Sequence, residues 1–134
     1  MNIKYLLSFL FISSFLYSIK AQDKVYFDAD WNKTIKEKAV YYRDFSANES
    51  IKRIIVDYYI SGEKAQEAKY KNGKPEGKFL IYYKTGELKT VGFYRDGFRE
   101  DVWKTYDKNG KIIKKGKYKK GEKIGVWKTF YKNL

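Results

Sequence analysis

The sequence contains no cysteine and no histidine, and a single proline among 134 residues. Without cysteine there is no disulfide framework, no thiolate metal site and no thiol to carry a lipid. Without histidine as well, the commonest general base, zinc ligand and nucleophile activator are all missing. That sets enzymatic chemistry aside and implies no cofactor. Scarce proline, beside 14 tyrosines and 19% aromatic residues, favours β structure, because aromatics suit pleated, half-buried surfaces and proline interrupts ladders. A chain of this length makes one domain.

Motifs that carry chemistry are equally sparse. Asp28-Ala29-Asp30-Trp31-Asn32 begins like a calcium loop. Lys33 stands where that loop needs glycine and Ala39 where it needs glutamate, so a turn is the better reading. Gly73-Lys74-Pro75-Glu76-Gly77-Lys78 misses the spacing of a phosphate-binding loop by one residue. Asn32-Lys33-Thr34 and Asn48-Glu49-Ser50 are glycosylation sequons, relevant only to a eukaryotic secretory route. The carboxylate pairs Glu100-Asp101 and Glu63 with Glu67 read as solvated positions rather than a general acid and base across a cleft.

Residues 1–21 read as a signal peptide. Lys4 gives a basic start, an apolar run broken only by serines extends from Tyr5 to Ile19, and Ile19-Lys20-Ala21 offers a cleavage site. A retained anchor would need roughly 20 apolar residues. The expected destination is the periplasm or the exterior. Residues 22–57 form an N-terminal β cap, with strands expected at Val25-Tyr26-Phe27, Ala39 to Phe45 and Ile51 to Ile60. Terminal units of repeat arrays are usually atypical in this way.

From residue 58 the chain repeats itself every 24 residues, as 58–81, 82–105 and 106–131. Gly62, Gly86 and Gly110 form one column, and Gly73, Gly97 and Gly121 a second. Tyr70, Tyr94 and Tyr118 form a third, Phe79, Trp103 and Trp127 a fourth, and Tyr82, Tyr106 and Phe130 a fifth. A fixed period in this range means a repeat architecture. Asn109-Gly110 suggests a two-residue type I′ hairpin turn, which needs positive φ at both positions. With Ser61-Gly62 and Thr85-Gly86 treated alike, Ile55 faces Ala68, Phe79 faces Gly92 and Trp103 faces Gly116. Tyr82 then faces Lys89, and Tyr106 faces Ile113. Large side chains thus meet the smallest, and a ring across a strand glycine covers its backbone. Asn72-Gly73, Asp96-Gly97 and Lys120-Gly121 join successive hairpins, which sets Gly116 beside Gly125. Pro75 is expected to disturb the first junction. Both faces carry aromatic rows, one folding over the lead-in segment. Carbohydrate or peptide binding on the open row weighs less here than plain sheet packing.

These columns resemble the MORN repeat, in the variant form of bacterial proteins grouped as the YwqK-type toxin–antitoxin antitoxin family. The resemblance covers residues 58–131, with Phe79 for tryptophan, Asp101 for glycine and Phe130 for tyrosine as departures. It implies an all-β fold of consecutive antiparallel hairpins in one elongated twisted sheet. It names no reacting group, and its antitoxin label sits poorly with an exported chain.

The net charge of +13 is uneven, since residues 106–129 hold nine basic residues against two acidic. The candidate basic surface is Lys111, Lys114, Lys115, Lys117, Lys119, Lys120 and Lys123. Alternation puts Lys115, Lys117 and Lys119 on one face and Lys114 and Lys120 on the other. Lysines on a terminal edge strand also serve simply to discourage sheet-to-sheet aggregation. The expected function is a non-enzymatic interaction or scaffold module with a protein partner. The alternative is an anionic membrane surface or envelope polymer held by the last repeat, and a third reading is neutralisation of a toxin-like partner. Nucleic acid fits an exported chain least.

Overall fold

The computed structural model describes residues 24–45 and 54–130. The signal segment, the start of the Ile51–Ile60 strand and Tyr131 of the last repeat lie outside the described residues. Ten strands in chain order are β1 (Lys24–Phe27), β2 (Lys33–Thr34), β3 (Tyr41–Asp44), β4 (Ile54–Tyr59), β5 (Lys64–Lys71), β6 (Lys74–Tyr82), β7 (Leu88–Arg95), β8 (Phe98–Tyr106), β9 (Ile112–Lys119) and β10 (Glu122–Thr129). They form one antiparallel sheet in the order β10-β9-β8-β7-β6-β5-β4-β3-β1-β2. The fold is all-β, a run of consecutive hairpins that is not closed into a barrel. The lead-in strands do not lie beneath an aromatic row as expected. They extend the same sheet, with β3 paired to β4 and β1 to β3.

Two kinds of turn alternate. Asn72-Gly73, Asp96-Gly97 and Lys120-Gly121 all have positive φ, so the type I′ geometry belongs to the junctions between hairpins. Pro75 does not disturb its junction. It pairs with Tyr70 inside β6, and its carbonyl accepts the amide of Gly97. At Asn109-Gly110 only the glycine is left-handed. The Gly110 amide donates to the Asp107 carbonyl and the Asp107 amide to that of Lys111. This is a three-residue loop, a type I turn closed by a left-handed glycine. Gly62 and Gly86 close the same loop.

The longer loop shifts the register near each turn. Tyr106 pairs with Ile112 rather than Ile113, and Tyr82 with Leu88 rather than Lys89. A bulge one step further along restores the count, so Ile55–Ala68, Phe79–Gly92 and Trp103–Gly116 pair as expected. A second, wider irregularity recurs on β6, β8 and β10. Three residues there oppose one on the neighbour, as 101–103 oppose Gly92 between the Phe93–Glu100 and Val91–Lys104 pairs. Gly77, Asp101 and Gly125, one per repeat, take positive φ at this point. Gly125 is therefore thrown out of the ladder and does not pair with Gly116.

The rings occupy glycines on the far side from that expected. A Cβ on Gly92 would lie 2.2 Å from Trp103, and one on Gly116 would lie 2.1 Å from Trp127. Each tryptophan thus leans over the glycine of the preceding hairpin. On this front face the rings run Phe79, Tyr94, Trp103, Tyr118, Trp127, with edge-on contacts of 5.0–5.7 Å between each tyrosine and its neighbours. Tyr118 lies between Trp103 and Trp127. Trp103 and Tyr118 are buried even in a single-layer sheet. Arg99 covers both rings and is hydrogen-bonded to Tyr118.

Side chains tie one hairpin to the next. Tyr59 and Tyr83 donate hydroxyls to the carbonyls of Tyr82 and Tyr106 at 2.8 and 2.7 Å. Glu76 and Glu100 accept the amides of Asp96 and Lys120, both at 2.7 Å. Both pairs were present in the sequence at the 24-residue spacing, hidden because the third repeat breaks each of them, with Asp107 and Ile124.

Candidate interaction surfaces

The back face of the last repeat concentrates positive charge. Lys115 on β9 pairs directly with Lys104 on β8 and with Lys128 on β10. Three lysines therefore stand abreast across three strands, and Lys117 lies two residues further along β9. Like charges directly opposite in a ladder repel. Among the described residues none of these four lysines forms an ion pair. Beside them lies a shallow groove of about 350 Å³ lined by Val102, Ile124, Gly125 and Val126 together with Lys115, Lys117 and Lys128. Val126 is 80% exposed. The surface is cationic around an apolar strip.

The seven expected lysines are not one site. Lys115, Lys117 and Lys119 share the back face with the row, as alternation implied. Lys114 and Lys123 lie on the front, where their ammonium groups sit 5.6 and 4.9 Å from the Trp127 ring. Lys111 and Lys120 belong to turns. Lys104 and Lys128 were missed. Lys104 was within reach of the same pairing that set Trp103 opposite Gly116, whereas Lys128 is brought into line by the bulge at Gly125. Edge protection does not account for the row, because β9 and β8 are interior strands and only β10 is at the margin.

The repeat columns, by contrast, are absorbed in structure. Gly62, Gly86 and Gly110 close loops, Gly73, Gly97 and Gly121 close junctions, and Gly92 and Gly116 seat rings. Phe79, Trp103 and Trp127 form the front ladder. Tyr82, Tyr106 and Phe130 belong to the other row, where Tyr82 lies near Glu67 and below the Lys64 ammonium. Burial and then the Glu67 charge push the Tyr82 hydroxyl above its usual range.

A second concentration of polar and aromatic groups lies at the other end of the front face. Asp57 is 1% exposed and accepts two bonds from Arg43, at 2.6 and 2.9 Å, and one from Gln66 at 2.7 Å. Burial pulls the Arg43 guanidinium down, but the hydrogen bonds and charge of Asp57 outweigh it and the net shift is upward. Around this group lie Phe27, Trp31, Tyr70, Pro75, Phe79 and Tyr94, lining a cleft of about 280 Å³. The turn that carries Trp31 repeats the 107–111 loop. The Asp28 carboxylate accepts the amides of Asp30 and Asn32 just as that of Asp107 accepts those of Asn109 and Lys111. Trp31 stands where that loop has Gly110, at φ 65, a conformation that bulky residues avoid. The sequence hides this kinship because the spacing is off the 24-residue period.

Among the described residues no group of three or more acidic side chains could hold a metal ion. The paired carboxylates expected to be solvated are set apart: Glu100 caps a turn amide, while Asp101 lies 3.8 Å from Arg95 on the surface. No family model, no curated protein and no solved structure matches this chain.

Proposed function

We propose that the chain is an exported, non-enzymatic MORN-type interaction module that holds an acidic protein partner on the Lys104–Lys115–Lys128 row. One observation carries the reading: three lysines paired abreast across β8, β9 and β10, two of those strands interior, without an ion-pair partner among the described residues. Such a row costs stability when empty and is relieved by an anion of extended shape. The repeat columns supply a rigid sheet and leave the row free at its surface. Complementary charge also speeds encounter, so binding should weaken as salt rises.

The test is chemical cross-linking in the native envelope fraction with the wild type and a Lys104→Gln, Lys115→Gln, Lys128→Gln variant. A cross-linked protein that disappears in the variant supports the reading. Equal capture by both forms contradicts it.

The apolar strip beside the row favours a second reading. Val126 and Ile124, exposed among lysines, suit the interface of an anionic membrane, where apolar side chains insert and ammonium groups meet headgroups. Flotation with vesicles containing anionic lipid at low salt separates the two. Flotation abolished by Val126→Asp supports the membrane, and no flotation at low salt ends that reading.

A further inference from the structure

The cleft around Arg43 lies on the opposite face from the lysine row and at the far end of the sheet, so nothing in the reading above uses it. Its walls are the rings of Phe27, Trp31, Tyr70 and Phe79. Its floor is polar and held in place. Asp57 takes two of the five guanidinium donors of Arg43, a further side-chain bond runs to Tyr70, and the cation lies 5.6 and 5.9 Å from the centroids of the Phe27 and Tyr70 rings. Gln66, which also lines the cleft, donates its amide nitrogen to the same carboxylate, so its carbonyl oxygen is not spent there. Fixed donors beside a fixed acceptor match a pair of neighbouring hydroxyls.

Trp31 supplies the stacking surface. One ring face lies on Tyr41, with centroids 4.1 Å apart and planes 5° from parallel. The ring also touches Phe27, with centroids 5.8 Å apart and planes tilted by 46°, and the residue remains 36% exposed, which leaves ring surface for a ligand. The strained backbone beneath it would be relieved by glycine, as in all three repeats. A bulky exposed residue kept at positive φ is the kind of strain that clusters at ligand clamps.

Charge and size choose the ligand. Arg43 is neutralised by Asp57, so the cleft has no net charge to offer, unlike the lysine row. Its volume of about 280 Å³ falls just below the range of roughly 300–1,000 Å³ typical of drug-sized sites. Pro75 and Trp31 bound it on two sides, which suits one ring better than an extended peptide. We propose that this cleft binds a neutral saccharide, one sugar ring stacked on Trp31 with its hydroxyls on Arg43, Gln66 and Tyr70.

Isothermal titration calorimetry of the full mature chain tests this. The probes are cellohexaose, chitohexaose, maltohexaose and a β-1,3-linked glucose hexamer, with a proline-rich decapeptide as the competing class. The expected result is saturable binding of at least one sugar, weakened at least tenfold by Trp31→Gly and only partly by Trp31→Phe. Glycine suits the backbone at position 31, so the circular dichroism of that variant should match the wild type. Lys115→Gln should bind as the wild type does, which separates this site from the lysine row. Absence of binding by all four sugars, unchanged binding in Trp31→Gly, or binding of the peptide alone would overturn the proposal.

Discussion

Glu63 and Glu87 occupy the same place in successive hairpins, directly after the left-handed glycine. Each is held by a hydroxyl two residues earlier, from Ser61 and Thr85. That hydrogen bond, with the residue's own backbone amide, holds both carboxylates below the ordinary value of 4.5. Because the folded state lowers these values, their contribution to stability is fully present above about pH 4.5. It is lost as pH falls through the lowered folded values. The third hairpin has Asn109 and Lys111 in these places and gains nothing of the kind. A Ser61→Ala, Thr85→Ala variant should therefore melt lower than the wild type at neutral pH, and the two melting curves should converge as the solution is acidified. Parallel curves across the acid range would contradict the assignment.

At the scale of the element, the recurring bulge on β6, β8 and β10 decides what pairs with what. Its left-handed position is glycine in two repeats and Asp101 in the other, at φ 59. Asp101→Gly removes that strain and forfeits only the exposed 3.8 Å approach to Arg95, which in water is worth little. We expect a gain of up to about 1 kcal/mol, seen as a raised midpoint in urea with an unchanged slope. A lowered midpoint would mean that the carboxylate holds something the geometry does not show.

The elements were legible to different depths. The hairpins and their period could be read directly, because glycine columns mark turns whatever their type. Turn type could not, since Asn-Gly suits both a two-residue loop and the end of a three-residue one. The far register nevertheless came out right. The loop is one residue longer than expected and the adjoining bulge absorbs one residue, so the two departures cancel beyond Thr105. No such cancellation helped at Gly125, where the bulge moved Trp127 over Gly116 and drew Lys128 into line with Lys115. The cleft was out of reach for a similar reason. Trp31 mimics a glycine that only the hydrogen bonds of its loop reveal.

On the scale of the whole molecule, ten strands at about 4.8 Å spacing make a sheet roughly 40 Å across, one layer thick. A single layer cannot bury a core between two sheets, so cohesion falls to the front ladder of rings and to the ties between hairpins. The two surfaces proposed for binding lie at opposite ends and on opposite faces of that sheet. Both depend on the ladder holding its register. The claim beneath everything else is that each tryptophan is seated on the glycine of the preceding hairpin.

Thermal unfolding of Gly92→Ala beside Gly116→Ala tests that claim most directly. Trp103, over Gly92, is 6% exposed and its indole donates to the Glu100 carbonyl at 3.2 Å, so it has little room to yield. Trp127, over Gly116, lies on the last described strand, and its buried indole nitrogen has no hydrogen-bond partner among the described residues. Overpacking a site that cannot yield costs about 1–3 kcal/mol. The account predicts that Gly92→Ala lowers the melting temperature by roughly 4 °C or more and that Gly116→Ala lowers it by less. A wild-type melting temperature for Gly92→Ala, or a larger loss for Gly116→Ala, would contradict it.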